Sequence, residues 1–211
     1  MSGCVLESVP FSALQQRLAE RAYRERIPLS ASVEIIATCN FSCQHCYIAP
    51  GAAREDVMSV ANATYLFAQL AKAGVIDLLL TGGEVFTHRN FKEIFLAAKR
   101  TGLSVYVNTN GYMIGERWAD FLAEWAVSNV SISIYGLSNE AYEKVTRVPN
   151  AYDRVMRAVD LLIERGIKVD LKCPAMTLTV DMLPELQRIA EQKGATFRYD
   201  PIISPHEKGD A

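Results

Sequence analysis

The chain has 211 residues, of which 50% are hydrophobic and 22% charged, and its formal net charge is −2. This composition is typical of a globular domain and excludes a disordered tail, a collagen and a coiled-coil rod. Because a slightly acidic chain lacks the positive field that attracts nucleic acid or anionic lipid, we expect neither nucleic acid nor a membrane as a partner.

The sequence also indicates where the protein works. Its first residues do not show the basic region followed by an apolar stretch that marks a signal peptide. No run of about 18 apolar residues is present to cross a bilayer. We therefore expect a cytoplasmic protein.

After a first predicted helix over residues 10–26, short β-rich segments alternate with amphipathic segments. The six predicted strands, each rich in Val, Ile, Leu or aromatic residues and close to a turn residue, cover 32–38, 75–81, 104–110, 129–136, 168–176 and 196–203. The five helical segments between them begin near Ser59, Asn90, Trp118, Tyr152 and Asp181. Asn90 and Glu93 are predicted to form a capping box.

Strands that alternate with helices predict an α/β fold with a parallel sheet. Six βα units are fewer than the eight of a closed barrel. We therefore expect either an open partial (β/α)6 barrel or a doubly wound sheet, with an N-terminal helix before the first strand. Residues 1–30 are expected to form the helical lead-in and residues 31–211 the core. In both folds the chemistry lies at the C-terminal ends of the strands.

The cysteines indicate a metal centre rather than disulfides. The five are Cys4, Cys39, Cys43, Cys46 and Cys173. Cys39, Cys43 and Cys46 follow the first strand with the spacing Cys-x3-Cys-x2-Cys, so one loop can supply three thiolates to an iron–sulfur cluster. An odd count with three cysteines close together is not a disulfide framework. Two alternatives are a structural zinc with His45 as fourth ligand and a chance grouping of buried cysteines.

The cysteine loop, with a strand before it and Tyr47 directly after it, resembles that of the radical S-adenosylmethionine (SAM) enzymes. The resemblance implies that Cys39, Cys43 and Cys46 hold a [4Fe–4S] cluster and that SAM chelates the fourth iron. It also favours the open partial barrel. Cys4 and Cys173 are then bystanders, and Cys173 is expected to be a small buried hydrophobic residue.

Two motifs at the ends of the next strands resemble parts of the same family. Gly82-Gly83-Glu84 follows the second strand and resembles the motif that binds the SAM amino group, although such a triplet alone indicates a surface turn. Two glycines allow a sharp turn and a close approach to a ligand. Asn110, at the end of the third strand, is a candidate cofactor-side residue, although Asn-Gly is also ordinary turn chemistry.

The fourth strand and the segment after it add two candidates. Alternation puts Ser131, Ser133 and Tyr135 on one face, which an open barrel would turn towards its lumen. An edge strand facing solvent is the alternative. Ser133 resembles a SAM-contacting serine of the family. Arg147 lies in a segment with a partial resemblance and is expected either to pair with the SAM carboxylate or to be an exposed helix-end arginine.

The resemblance implies a reaction and a set of partners. An external one-electron donor of the flavodoxin or ferredoxin type reduces the cluster, SAM is cleaved, and a 5′-deoxyadenosyl radical abstracts a hydrogen atom from the substrate. A peptide or protein is the expected substrate, and a small molecule is the alternative. Arg198 and Asp200 are candidates for substrate contact. No residue is assigned a catalytic role.

The peptide-modifying branch usually carries a C-terminal extension with auxiliary clusters, whereas no cysteine follows Cys173. We therefore expect the core to lack its last helix and a C-terminal domain. The chain is then a fragment, works without auxiliary clusters, or depends on a partner subunit. The alternative function is a catalytically incomplete accessory module that binds an iron–sulfur cluster and SAM.

Overall fold

The computed structural model describes residues 10–48 and 57–203, so Cys4 lies outside the described residues. The strands are β1 (Ser30–Ile36), β2 (Asp77–Gly82), β3 (Ser104–Thr109), β4 (Asn129–Ser133), β5 (Val169–Pro174) and β6 (Thr196–Asp200). The α-helices are α1 (Phe11–Glu25), α2 (Val60–Ala73), α3 (Phe91–Arg100), α4 (Glu116–Glu124), α5 (Asn139–Thr146), α6 (Ala151–Glu164) and α7 (Leu183–Lys193). The six strands confirm the predicted alternation with helices.

The strands form one parallel sheet in the order β1-β2-β3-β4-β5-β6. A doubly wound sheet reverses its strand order at a switch point, so the sequential order excludes that alternative. The sheet is open, with β1 and β6 as its edges and α1 ahead of β1. This is the expected open partial (β/α)6 barrel.

The hydrophobic core lies between one face of the sheet and the helices. Leu80, Val107 and Ile132 point to this side and have no exposed surface. Their neighbours Asn108 and Ser131 alternate onto the other face, which lines the lumen. The sheet therefore presents an apolar face to the helices and a polar face to the lumen.

Two helix starts test the predicted caps. The Ser59 side chain accepts a hydrogen bond from the Asn62 backbone N–H at 3.1 Å, as expected for the cap of α2. The predicted capping box at α3 is wrong, because the Asn90 side chain makes no cap hydrogen bond. Instead the Asn90 backbone N–H donates to Nδ1 of His88 at 3.0 Å, so a buried histidine organises this turn.

The helix α5 was not predicted. It spans only eight residues, too few for a clear apolar period, although Tyr142 and Val145 on its inner face are fully buried. Ser138 caps it by accepting from the Ala141 backbone N–H at 3.2 Å. It ends at Thr146, and the C-cap residue Arg147 adopts a left-handed conformation with φ of 60°.

Some large apolar side chains in and beside the helices are exposed. Trp125 follows α4 as its C-cap and is 38% exposed. Leu14 and Leu18 of α1 are also exposed, whereas Ala22 is buried. Among the helices of residues 10–48 and 57–203, none has the length and apolarity needed to cross a lipid bilayer.

Candidate functional site

The loops that follow β1, β2 and β3 meet around a cavity of about 210 Å³, here named the cysteine cavity. Cys39, Cys43 and Cys46 all line it, and their thiols are free. The other predicted site residues that line it are Tyr47, Gly82, Gly83, Asn110 and Ser133. Chemistry was expected at the C-terminal ends of the strands, and these residues gather there.

Two thiols in this cavity, those of Cys39 and Cys43, have raised pKa values. Burial, with a smaller contribution from the charges of Glu84 and Cys46, raises the pKa of Cys39 to about 11. Burial raises the pKa of Cys43 to about 12, with the neighbouring thiols adding to the effect. Because the thiolate is the form that binds metal, a cationic iron centre would supply the missing charge.

The donor set consists of three thiols that line the same cavity. A cluster distributes its thiolate ligands over several irons. Three cysteines that face one cavity therefore fit an iron–sulfur cluster.

The cysteine loop is fastened to the C-terminal end of α5. The Ser42 backbone N–H donates to the Thr146 carbonyl at 3.2 Å, and the Gln44 N–H donates to the Val145 carbonyl at 3.0 Å. The Gln44 side chain also donates to the Lys144 carbonyl at 2.6 Å. The last carbonyls of a helix lack intrahelical partners, so α5 offers acceptors that fix the middle of the loop.

Gly82 and Gly83 allow the backbone after β2 to touch the backbone after β1. The Gly83 N–H donates to the Ile36 carbonyl at 2.7 Å, and the Glu84 N–H donates to the Thr38 carbonyl at 2.9 Å. A Cβ on Gly82 would lie 2.1 Å from the Ile36 oxygen, and one on Gly83 would lie 2.4 Å from the Thr38 oxygen. Only glycine fits at either position, and both residues leave their backbone at the cavity wall.

Glu84 occupies a different place from the one expected. Its side chain is fully buried and does not line the cysteine cavity. The carboxylate accepts from Oγ1 of Thr109 at 2.7 Å, from the Asn110 N–H at 2.7 Å and from the Phe86 N–H at 3.1 Å. Burial raises the pKa of this carboxyl, and the three hydrogen bonds oppose the rise. Glu84 therefore ties the end of β2 to the end of β3.

Asn110 joins the third strand to the cysteine loop. Its Nδ2 donates to Oδ1 of Asn40 at 2.7 Å and lies 3.8 Å from Sγ of Cys39. Its Oδ1 accepts from the Tyr112 N–H at 3.0 Å. The buried Asn110 side chain therefore forms the local turn and also positions the loop at the cavity.

Ser133 and Tyr47 both line the cysteine cavity. Ser131, Ser133 and Tyr135 all line the cysteine cavity, as the alternation along the fourth strand predicted. Because β4 lies between β3 and β5, the edge-strand alternative is wrong. The Tyr47 hydroxyl donates to Oε1 of Glu34 at 2.6 Å, which connects the end of the cysteine loop to β1.

Arg147 is not brought to this cavity. Its side chain is exposed, and it does not belong to the cavity lining. The structure therefore matches the alternative given for it, an exposed arginine at the end of a helix.

Two further residues line the lumen that the sequence did not assign to a cofactor or substrate site: Lys172, and His45, which was considered only as a zinc ligand. The His45 ring lines the cysteine cavity and lies 5.2 Å from the Tyr135 ring. Its buried Nδ1 has no hydrogen-bond partner among the described residues, and burial lowers the pKa of the imidazole. Lys172 of β5 also lines the cavity. Two features of the sequence could have indicated them. His45 lies between two cysteines of the loop, and Lys172 lies two positions after Asp170, so both side chains face the same side of the strand.

Two larger cavities adjoin the first. The lower cavity, of about 660 Å³, lies between the inward faces of the six strands. The side cavity, of about 320 Å³, lies between the cysteine loop and the ends of β5 and β6. Arg198 lines the lower cavity and Asp200 lines the side cavity, while Lys172 lines both and the cysteine cavity as well.

Comparison with known proteins gives a family match. A sequence model described as the Radical SAM superfamily matches residues 33–190. The sporulation killing factor maturation protein SkfB of Bacillus subtilis (strain 168) is 28% identical over 170 residues, which are 79% of this chain and 40% of that protein. The AdoMet-dependent heme synthase of Methanosarcina barkeri (strain Fusaro / DSM 804) is 24% identical over 181 residues, 84% of this chain and 51% of that protein.

Among solved structures, that of Streptococcus suis SuiB bound to precursor peptide SuiA superposes with a TM-score of 0.74 at 17% identity. The match covers 94% of this chain and 47% of the other. A structure of SuiB bound to S-adenosylmethionine matches with a TM-score of 0.73. The chain spans about half, or less, of the length of these proteins.

Proposed function

The chain belongs to the radical SAM superfamily, and from this premise we propose that it is a radical SAM enzyme that modifies a peptide or protein. Enzymes of this family use SAM with a [4Fe–4S] cluster. The observation that carries the proposal is the cysteine cavity, where three free thiols, the glycine pair and two polar strand ends face one space. We assign residues 31–211 to the catalytic core and residues 1–30 to its lead-in.

The proposed roles follow from the positions of the side chains. Cys39, Cys43 and Cys46 hold the cluster, and the backbone carbonyls of Gly82 and Gly83 accept hydrogen bonds from the SAM ammonium group. Hydrogen bonds to a charged donor are among the stronger ones.

The remaining wall of the cavity completes the proposed SAM site. Tyr47, Asn110 and Ser133 line it together with His45. Arg147 is left out of the set because its side chain is exposed. Glu84 supports the site from behind by holding the ends of β2 and β3 together.

When bound, the cluster and SAM supply reductive cleavage of the sulfonium and abstraction of a hydrogen atom from the substrate. The chain supplies binding, orientation and exclusion of water, because a carbon radical in contact with solvent reacts unproductively. The buried Tyr135 and Phe41 close part of the cavity wall. The electron is proposed to come from an external donor of the flavodoxin or ferredoxin type.

A peptide substrate is supported by two relatives. SkfB is named as a maturation protein, and SuiB was solved with a precursor peptide. The lower cavity adjoins the cysteine cavity and shares Asn108, Ser131 and Lys172 with it, so an extended chain in the lumen would pass close to the proposed cofactors.

Anaerobic reconstitution tests the cofactor proposal. The protein is loaded with iron and sulfide, reduced with dithionite and incubated with SAM. We expect a brown cluster-bearing protein that releases 5′-deoxyadenosine. Cys39→Ala, Cys43→Ala and Cys46→Ala should each abolish the cluster, whereas the matched control Cys173→Ala should retain it, because Cys173 is fully buried in the hydrophobic core.

The other outcomes separate the alternatives. A brown protein that binds SAM and releases no 5′-deoxyadenosine would identify the accessory module. A colourless protein with stoichiometric zinc would show the structural-zinc alternative to be correct. Loss of the cluster in Cys173→Ala would contradict the assignment of the three ligands.

The peptide proposal needs its own substrate. Short peptides encoded beside the gene are the first to test with the reconstituted enzyme. A cognate peptide should increase release of 5′-deoxyadenosine and change its own mass. If a porphyrin produces both effects and the peptides produce neither, the peptide assignment is wrong while the radical SAM assignment stands.

A further inference from the structure

Lys172 lies where the three cavities of the lumen meet. It is the fourth residue of β5 and lines the cysteine, lower and side cavities. Its backbone pairs in register with Ser133 of β4 and Arg198 of β6. A ligand that extends from the proposed cofactor site into either larger cavity therefore passes the side chain of Lys172.

The ammonium group of Lys172 forms no salt bridge within the part of the chain that the structure describes. Its Nζ donates to Oδ1 of Asn108 at 2.9 Å. Among the described residues, no carboxylate lies within 4.0 Å of Nζ. Burial and the positive charge of Arg198 together lower the pKa of Lys172 to about 8, although the negative charges of Asp170 and Asp200 oppose the shift. A partly buried cation without a pair is unfavourable, so this position favours a bound anion.

The nearest acids are engaged elsewhere. Asp170 accepts from Nε of Arg198 at 2.7 Å and from Oγ1 of Thr196 at 3.0 Å. Asp200 accepts from the Ile202 N–H at 2.9 Å. The protein therefore neutralises Arg198 with its own carboxylate and leaves Lys172 with hydrogen-bonding capacity for a ligand.

Resting on the proposed function, we propose that Lys172 binds a carboxylate of the substrate and so positions it at the junction of the three cavities. Two of the three N–H donors of an ammonium group remain after the bond to Asn108, enough to pair with one carboxylate. The peptide can supply this group from an acidic side chain or from its C-terminus. The carboxylate of SAM is the competing source, because Ser133 is the register neighbour of Lys172.

The location favours the substrate over SAM. Lys172 lines the lower cavity. The three cysteines of the loop and the glycine pair, which are the proposed ligands of the cluster and SAM, do not line it. The lower and side cavities together are several times larger than the cysteine cavity. Lys172 therefore reaches space that the proposed cluster and SAM site does not require.

Matched peptide probes test the proposal on the reconstituted protein with SAM bound. One pair is acetyl-Ala-Glu-Ala-amide and acetyl-Ala-Gln-Ala-amide, and the other is acetyl-trialanine with a free or amidated C-terminus. Affinities are measured by ligand-observed NMR titration. In the wild type we expect at least one acid to bind about tenfold more tightly than its amide, which is the size of one good charge-assisted contact.

The variants assign that preference to one residue. Lys172→Met should reduce the acid-to-amide ratio to about one, and Lys172→Arg should keep it above one because the positive charge remains. The control Lys168→Met, which removes an exposed lysine next to the same strand, should leave the ratio unchanged. Lys172→Gln, which keeps a polar side chain beside Asn108, replaces Lys172→Met if that variant does not fold.

Three results would overturn the proposal. One is equal binding of acids and amides by the wild type, and another is a preference that survives in Lys172→Met. The third is a loss of SAM affinity in Lys172→Met, which would give Lys172 to the SAM carboxylate. SAM cleavage without substrate is measured separately, so failure of the proposed function appears as absent 5′-deoxyadenosine and remains distinct from failure of the carboxylate site.

Discussion

The two sides of the lumen are built in different ways. The cysteine wall consists of residues 39–46, 82–84 and 109–110, and its parts are held together by buried hydrogen bonds and backbone contacts. The charged wall consists of residues 170–172 of β5 and 198–200 of β6. Its residues on β6 are exposed. One wall is fixed by the fold, whereas the other presents side chains from regular strands.

This difference separates two kinds of function. Substitutions on the cysteine wall disturb backbone contacts between loops, so that wall suits a cofactor that must always be held in the same way. On the charged wall, Lys172 and Arg198 reach the lumen from strands whose hydrogen bonds do not depend on the side chain. That wall can change with the substrate while the sheet is preserved.

The largest expected effect comes from Gly83→Ala on the cysteine wall. The new Cβ would lie 2.4 Å from carbonyl oxygens of Ala37 and Thr38, so one of the two loops must move. We expect a loss of about 3 kcal/mol in the free energy of unfolding and loss of bound iron. Urea denaturation and iron content per chain measure the two effects.

Gly115→Ala is the matched control, since a Cβ there would meet nothing within 4 Å. Its stability should change by no more than about 0.5 kcal/mol. If Gly83→Ala retains both stability and iron, the cysteine wall does not depend on the backbone contact described for it.

A smaller effect is expected for Glu84→Gln. The amide keeps the shape of the side chain. However, its NH2 group must point at a group that now donates a hydrogen bond to the carboxylate, so two donors would face each other. An unsatisfied buried pair of donors costs about 1–3 kcal/mol. Thermal or urea unfolding should show this loss for Glu84→Gln and almost none for Glu93→Gln, which changes an exposed carboxylate of α3. Equal stability of the two variants would show that the Glu84 network is not structurally important.

The sequence predicted the cysteine wall better than the charged wall for a physical reason. Three cysteines in one loop and two adjacent glycines are residue types that few other roles require, so their pattern alone indicates a site. Lys172 is an ordinary lysine in the sequence, and its importance depends on the register that places it beside Ser133 and Arg198. Such a register emerges only when the strands are paired.

Other errors arose where tertiary contacts decide the local role. Glu84 was expected to face a ligand, but the ends of β2 and β3 offer it three donors in the interior. The short helix α5 was missed because two turns give little periodicity, although its last carbonyls hold the cysteine loop. His45 was considered only as a zinc ligand, while its ring became part of the cavity wall.

The smallest expected effect concerns the pH dependence of the charged wall. The pKa of Lys172 is lowered from its ordinary value of 10.5 to about 8 in the folded protein. Between these values the unfolded chain binds more protons than the folded one, so this residue makes stability rise with pH and its cost is greatest below about pH 8. The facing charges are Asp170 on the same strand and Arg198 and Asp200 on β6.

The test compares the wild type with Lys172→Met by urea unfolding from about pH 7.5 to about pH 10.5. Stability of the wild type should improve relative to the variant as the pH rises, by less than about 1 kcal/mol because solvent screens a half-exposed ammonium. Other groups titrate in both proteins and cancel in the difference. The stability of the control Lys168→Met should change with pH in parallel with that of the wild type. If the curves for Lys172→Met and the wild type are also parallel, burial does not penalise the ammonium of Lys172 in the folded protein.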